Sequence, residues 1–426
     1  MNTWHKVAEF LGLRRNTALL LVALLLAGTG ERLWLGFVPK YLQSLGATVF
    51  IIGLYDALQT LLGALYAYPG GWLTDHWGER RSLILFSFLS LGGYLIVLLW
   101  HDWIAVLAGS FLFLAWSALS LPTTFTIVAT SLQQSRHTMG IGVQSMVRRV
   151  PMMLGPLIGG WLITRHGWQR GIQLALLGCL VLTVLTMLFQ SLLAKSSASP
   201  KAPSTDRTSF FAVVKAFSPT LRELLVSDIL IRFCERIPYA FVILWAMNYA
   251  GVSAQQFGFL VSIEMITAMF CYIPVAHLAD KYGQRPFVLA TFVFFTLFPV
   301  SLLFATSFSL LALAFAVRGL KEFGEPARKA LIIAQATPEL RSRTYGAYYL
   351  IRDCVVTSGS FLGAWLWSIS PRANFIGAAV AGLAGTLWFW WFLNRPHQRT
   401  NPFTGGGTSP EPIRGPDAPA NSPLKT

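Results

Sequence analysis

The stretch that decides the fold is GWLTDHWGERR, residues 71–81, which returns in altered form as AHLADKYGQRP at residues 276–286. Each copy follows a long apolar stretch and combines an acidic residue, a glycine and basic residues. Gly78 permits a tight turn, and Arg80 and Arg81 supply positive charge at a membrane interface. A charged turn that follows two separate apolar stretches indicates a duplicated membrane unit.

The composition excludes a soluble domain. The 426 residues are 54% hydrophobic and only 12% charged, and the mean hydropathy is +0.56. A helix needs roughly 20 apolar residues to cross a bilayer. We therefore predict an all-α membrane protein with twelve transmembrane helices, at residues 17–42, 48–74, 82–100, 103–131, 137–165, 170–194, 221–248, 255–279, 286–306, 308–333, 342–369 and 373–394.

The charge distribution predicts the orientation. Lys and Arg outnumber Asp and Glu by 33 to 18, and the basic residues gather before the first span and after the even-numbered spans, with one exception at residues 165–170. Cytoplasmic loops carry this excess. We therefore expect a multi-pass protein of the bacterial inner membrane with both termini in the cytoplasm, and the lipid bilayer rather than nucleic acid as its partner.

Cysteine and histidine form no recognisable site. The four cysteines lie singly in apolar spans, and the seven histidines have no metal-ligand spacing. No nucleophile and base are paired at membrane depth. We expect no metal, no cofactor and no enzymatic activity.

The polar stretch KSSASPKAPSTDRTS, residues 195–209, divides the chain into two sets of six spans. The predicted organisation is a cytoplasmic N-terminus (1–16), a first six-helix bundle (17–194), a cytoplasmic linker (195–220), a second bundle (221–394) and a disordered cytoplasmic tail (395–426).

The two bundles repeat each other at an offset of 204 or 205 residues. A local accident does not recur at the matching place in both halves, so two pseudo-symmetric bundles are predicted. The matching pairs are Glu31-Arg32 with Glu235-Arg236, Asp75 with Asp280, Pro122 with Pro326, Arg148 with Arg352, Gly142 with Gly346, Gly155 with Gly359, and Gly159 with Gly363.

Both charged turns resemble the loop signature of the major facilitator superfamily, Gly-x-Leu-x-Asp-x-x-Gly-x-Arg-Arg. The second copy departs from it at Ala276 and Pro286. The resemblance implies two bundles that rock about a central site, with the loops acting as a gate. The gating residues it implies are Gly71, Asp75, Gly78, Arg80, Arg81, Asp280, Gly283 and Arg285.

The fifth span, GVQSMVRRVPMMLGPLIGG at residues 142–160, resembles the signature of antiporters in that superfamily. Pro151 replaces its second glycine, and the fourth span lacks the arginine that such antiporters carry. The resemblance favours export, although close helix packing also explains the glycines. The residues that carry this motif are Gly142, Gly155, Pro156, Gly159 and Gly160.

Charged residues lie well inside several spans, where each costs about 2.5–3.5 kcal/mol and so faces a cavity or a partner. Glu31, Glu235, Glu264 and Glu322 are predicted to couple transport to protons. Glu325, Arg328 and Lys329 are interpreted as structural. Spacing of four residues allows Arg318 to meet Glu322, and Lys321 to meet Glu325, along one face of a helix. Predicted cavity residues are Arg32, Asp56, Arg148, Arg236, Arg318 and Arg352.

The functional hypothesis is a monomeric secondary transporter that exports a small organic or drug-like compound in exchange for protons. One alternative is proton-coupled uptake of a small organic anion. Another is a receptor or scaffold that has the same fold and moves no substrate.

Overall fold

The computed structural model describes residues 15–117, 119–120, 137–193, 210–335 and 341–393. Helices dominate this part of the chain, and a 3₁₀ turn spans Leu35–Phe37. The helices are α1 (Arg15–Arg32), α2 (Val38–Ser44), α3 (Val49–Trp77), α4 (Glu79–Leu99), α5 (Trp103–Phe113), α6 (His137–His166), α7 (Trp168–Ser191), α8 (Phe210–Lys215), α9 (Pro219–Tyr239), α10 (Val242–Asn248), α11 (Ala254–Tyr282), α12 (Arg285–Phe304), α13 (Phe308–Leu320), α14 (Glu325–Ala334), α15 (Arg341–Ile369) and α16 (Pro371–Leu393).

The predicted fold class is confirmed, since these helices follow the predicted spans in order. Seven segments of the described chain are long and apolar enough to cross a membrane. The predicted fourth span is described only as far as residue 120, so Pro122 lies outside the described residues. The predicted termini and the first part of the linker also lie largely outside them, and α8 occupies residues within the predicted linker.

Four of the predicted continuous spans are interrupted within the described residues. The first breaks between α1 and α2, the fourth at Leu114 directly after α5, the seventh between α9 and α10, and the tenth between α13 and α14. Pro39 lies in the first turn of α2 and Pro238 near the end of α9. Proline removes a backbone donor and interrupts a helix. The breaks in the first and seventh spans lie shortly beyond the Glu31-Arg32 and Glu235-Arg236 pairs.

Capping side chains begin the matching helices of the two halves. The Thr48 hydroxyl accepts from the Ile51 N–H at the start of α3. Ser253 and Gln256 form a reciprocal capping box at the start of α11. At the other ends of α3 and α11, Gly78 and Gly283 adopt φ of +79° and +85°, which favours glycine. The predicted tight turn at Gly78 is therefore present.

The halves meet through two pairs of long helices, α3 with α15 and α6 with α11. We call the end of the molecule that holds α2 and α10 the closed end, and the end with Gly78 and Gly283 the motif end. At the closed end, Asn248 donates to the Gln43 side chain at 3.1 Å. The ion pairs Arg236–Asp56 and Arg149–Glu322 and the hydrogen bond from the Gln255 N–H to the Thr164 hydroxyl also join the halves, between mid-helix and this end.

Candidate functional site

A cavity of about 50 Å³ lies beside Glu31 in the first half. Glu31 is only 5% exposed, and Ser117 lines the same cavity. Arg32 and Arg148 also line the cavity. Among the described residues, none of these three charged side chains forms an ion pair within contact distance. The cavity therefore holds one acidic and two basic side chains, and Arg32 and Arg148 act on the Glu31 carboxylate from beyond contact distance.

Glu235, the counterpart of Glu31, has the opposite environment. Its carboxylate accepts from Arg232 at 2.7 Å and from Lys321 at 2.8 Å. Both partners are charged, so these are among the stronger hydrogen bonds in proteins. The carboxylate of the second half is thus neutralised by cations of its own half.

A buried ion network extends from Glu235 towards the motif end. Asp228 is fully buried and contacts Arg328. It also accepts from Arg352 at 3.4 Å and from the Tyr348 hydroxyl at 3.1 Å. Arg232 lies between Glu235 and Asp228, with its Nε 3.8 Å from Asp228 Oδ1. The sequence prediction missed Asp228 and Arg232, although both stand in a membrane span where charge is costly.

Glu264 and Arg318, both predicted to line the cavity or couple protons, pair with each other. Arg318 Nε lies 3.2 Å from Glu264 Oε1. The guanidinium also stands over the rings of Phe298, Phe315 and Tyr239, at 5.0, 5.6 and 5.6 Å from their centres. Cation–π contacts of this kind add to the ion pair, so Arg318 is held within the second half.

The predicted pairs along the tenth span are wrong. Arg318 contacts Glu264 rather than Glu322, and Lys321 contacts Glu235 and Glu264 rather than Glu325. The reason is the break at residues 321–324, because spacing of four residues aligns side chains only along a continuous helix. Glu325 instead pairs with Arg328 and Lys329 at 2.7 and 3.6 Å, in keeping with the structural interpretation of these three residues.

Two ion pairs join the halves near mid-helix. Arg236 Nη1 lies 3.0 Å from Asp56 Oδ1, and Ser360 donates to the other oxygen of Asp56. Arg149 Nη2 lies 3.0 Å from Glu322 Oε2. Asp56 and Arg236, both predicted to line the cavity, thus pair with each other across the halves, and Arg149, absent from the predicted site, holds Glu322.

Three substitutions between the repeats explain why the halves differ. At the offset of 204 residues, Asp228 corresponds to Leu24, Arg232 to Gly28 and Lys321 to Ser117. All three residues of the first half line the cavity. The cavity therefore occupies the place that charged side chains fill in the second half.

The glycine-rich fifth span packs backbone to backbone on two sides. A Cβ on Gly155 would collide with Arg32, and one on Gly159 with the Leu33 carbonyl. On the other side, a Cβ on Gly160 would collide with the Ala254 backbone of the second half. Pro156 approaches Gly258 in the same way. Gly142 lies on α6 among residues whose surroundings are outside the description.

The loop motif is described in part. Gly78 and Gly283 form the turns, and Arg80, Arg81 and Arg285 follow at the starts of α4 and α12. The surroundings of Gly71, Asp75 and Asp280 lie outside the described side chains. Within the described part of the chain, no group of His, Cys, Asp and Glu is arranged to hold a metal ion.

Comparison with known sequences gives matches along nearly the whole chain. The sequence model of the Major Facilitator Superfamily matches residues 20–250 and 224–421. The multidrug resistance protein MdtG of Serratia proteamaculans is 25% identical, with 90% of this chain and 94% of that protein covered. A Lactococcus lactis protein named multi-drug resistance efflux pump PmrA homolog is 22% identical, with 88% and 94% covered.

Comparison with solved structures gives the same fold. The nucleoside transporter NupG superposes with a TM-score of 0.71 at 12% identity, covering 89% of this chain and 98% of that one. The human organic anion transporter MFSD10 superposes with a TM-score of 0.63 at 16% identity, covering 88% and 99%.

Proposed function

This chain belongs to the major facilitator superfamily, and on that premise we propose that it exports small organic compounds in exchange for protons. Relatives named for multidrug resistance and drug efflux support export. Two repeated bundles around a mid-membrane site are the usual architecture of secondary transporters that alternate access between the two sides.

The observation that carries proton coupling is the environment of Glu31. A carboxyl group buried without a contacting counter-charge is more stable protonated than ionised. Glu31 is such a group, since no described cation lies within ion-pair distance of its carboxyl group. Access of water or substrate to the cavity would stabilise the ionised form and release the proton. Glu31 is therefore our candidate for the proton carrier.

The other three predicted proton carriers have contacting cations and are assigned different roles. Lys321 lies 2.8 Å from Glu235 and 3.4 Å from Glu264, and Arg149 lies 3.0 Å from Glu322. In the described part of the chain, each of these carboxylates thus forms an ion pair, unlike Glu31. We assign Glu235 and Glu264 to bracing the second half, and Glu322 to joining the halves.

Alternating access would break and remake the contacts at the closed end. The pairs Arg236–Asp56 and Arg149–Glu322 and the glycine packing between α6 and α11 join the halves between mid-helix and that end. The family resemblance assigns the loop motif to holding the opposite end when that end closes. We propose that the motif end is cytoplasmic, so that the conformation described here faces inward.

We further propose a monomer in the bacterial inner membrane with both termini in the cytoplasm. Reporter fusions test the topology: alkaline phosphatase fused after residue 393 should be inactive, whereas fusion in the loop at residue 167 should be active. The reverse pattern would contradict the orientation.

Reconstitution tests the main proposal. Purified protein in liposomes should drive ethidium across the bilayer when a pH gradient is imposed and should move protons the opposite way. Glu31→Gln should abolish the dependence on the gradient, whereas Asp102→Asn, at an exposed site before α5, should retain it. Flux that ignores the gradient in the unaltered protein would refute proton coupling, and no flux for any tested compound would favour a receptor or scaffold.

Uptake of a small organic anion with protons is the second candidate. It draws support from Arg32 and Arg148, which line the same cavity. Cells that express the gene should then accumulate radiolabelled benzoate above the level of cells without it. Lower accumulation in the expressing cells would favour export.

A further inference from the structure

We propose that the cavity beside Glu31 recognises a zwitterionic head group, with an ammonium that pairs with Glu31 and a carboxylate or similar oxyanion that pairs with Arg148 and Arg32. This inference rests on the proposed exchange of substrate for protons and names the chemical class that the site takes.

The second half shows what the charges of the first half require. Glu235 contacts two cations, Arg232 and Lys321. The corresponding positions in the first half are Gly28 and Ser117, which carry no charge and line the cavity. Among the described residues, no cation of the first half contacts Glu31, and Arg32 and Arg148 attract its carboxylate only from a distance.

The same comparison shows that Arg148 and Arg32 lack the anionic partners that their counterparts have. Arg352 contacts Asp228 and Asp353, at 3.4 and 2.7 Å. Its counterpart Arg148 has Leu24 at the position of Asp228 and Arg149 at that of Asp353. Arg236 pairs with Asp56, whereas its counterpart Arg32 enters no contacting ion pair among the described residues. A ligand oxyanion would complement both arginines of the first half.

The size of the cavity limits what can enter. A cavity needs a volume of about 10–15 Å³ to hold one water-sized group, and the cavity beside Glu31 has a volume of about 50 Å³. It therefore accommodates a small polar head group, and the body of a larger molecule must lie outside it.

The requirements of antiport select the zwitterion from three classes of ligand. A cationic group on Glu31 and a proton on Glu31 exclude each other, as exchange demands. A simple anion would bind to the arginines and stabilise the proton on Glu31. The anion and the proton would then be carried together in the same direction across the membrane, which is symport. A simple cation would leave Arg32 and Arg148 without a counter-charge, which is costly in a buried site. A zwitterion satisfies all three side chains and still competes with the proton.

The test uses three probes with one benzyl body and different charges: phenylalanine, phenylalanine methyl ester (a cation) and N-acetylphenylalanine (an anion). Binding to the full chain in detergent at neutral pH is measured by calorimetry in weakly buffered solution, together with proton release. Phenylalanine should bind at least about tenfold more tightly than either analogue, since unpaired buried polar groups reject incomplete ligands. Its binding should also release protons.

Variants test the acidic and the basic side chains of the site separately. Glu31→Gln should weaken phenylalanine binding about tenfold and abolish proton release, and Arg148→Gln should weaken phenylalanine and N-acetylphenylalanine but not the ester. Ser117→Lys would place an ammonium where Lys321 stands in the other half and should exclude phenylalanine. Ser44→Lys, at an exposed residue of α2, is the matched control and should bind as the unaltered chain does.

Equal or tighter binding of the ester, no binding of phenylalanine at millimolar concentration, or unchanged binding in folded Ser117→Lys would each overturn the zwitterion site. Ethidium exchange driven by a pH gradient, measured on the same preparation, is a separate readout. Its persistence would then leave the proposed export intact, whereas its absence together with the absence of phenylalanine exchange for protons would refute export itself.

Discussion

The two halves of this chain share a backbone plan and differ in how they treat charge. Glu31 and Glu235 occupy equivalent positions just before equivalent helix breaks. The second half surrounds Glu235 with Arg232 and Lys321, whereas the first half surrounds Glu31 with a cavity. Duplication thus preserved the fold while the halves diverged, so that one glutamate is paired within its own half and the other lies beside a cavity, where we propose that a proton or a ligand binds.

The largest effect is expected from breaking the network of the second half at its buried anion. Asp228→Asn would leave Arg328, only 1% exposed, and Arg352 without their shared counter-charge. Removing one partner from a buried ion pair costs about 3–5 kcal/mol. The apparent melting temperature in detergent should fall sharply, and little folded protein should elute as a single species from a sizing column.

Asp102→Asn is the control for that change, because Asp102 is exposed and caps α5 without a side-chain hydrogen bond. It should shift stability by no more than about 0.5 kcal/mol. A melting temperature for Asp228→Asn equal to that of the control would show that the second half does not depend on its buried charges.

Much of this comparison could be predicted from the sequence, and the decisive part could not. The span positions and the repeat follow from hydropathy and from residues as uncommon as Glu31-Arg32 and Glu235-Arg236. The partner of each charge depends on how helices distant in sequence face each other, and the break after Leu320 changed the predicted pairs. A signal was nevertheless present, since the offset of 204 residues places Leu24 opposite Asp228 and Ser117 opposite Lys321.

Neutralising the equivalent glutamates compares the halves directly. Glu235→Gln should destabilise the protein by about 1.5–3 kcal/mol, because Arg232 and Lys321 lose a charged partner in a mostly buried site. Glu31→Gln should change stability by less than about 0.5 kcal/mol, since glutamine resembles a protonated glutamate. Thermal unfolding of the two variants in the same detergent measures the difference, and equal losses would contradict the assigned asymmetry.

The glycine contacts are where the halves should behave alike. A Cβ at Gly159 would meet the Leu33 carbonyl, and one at the equivalent Gly363 would meet the carbonyl of the equivalent Ile237. Overpacking of this kind costs about 1–3 kcal/mol, so Gly159→Ala and Gly363→Ala should lower the melting temperature by similar amounts.

Gly346→Ala controls for helix propensity, because a Cβ there meets nothing within 4 Å. It should stabilise α15 by about 0.5–1 kcal/mol. Unequal losses at Gly159 and Gly363 would mean that the two halves have diverged in packing as well as in charge.

The smallest effect is expected where the halves touch through exposed side chains. Asn248 receives a hydrogen bond from Lys40 and donates one to Gln43 at the closed end. Exposed polar contacts contribute about 0–1 kcal/mol, so Asn248→Ala should leave the melting temperature unchanged and shift the balance between open and closed ends by at most about fivefold.

Spin labels at Phe50→Cys and Ile369→Cys, both exposed near the closed end, can report this shift by pulsed electron resonance, with Cys271 and Cys354 replaced by serine. A longer-distance population that grows in Asn248→Ala without loss of stability would show that the halves move as intact bodies. Loss of stability without such a population would instead mean that each half needs the other to remain folded.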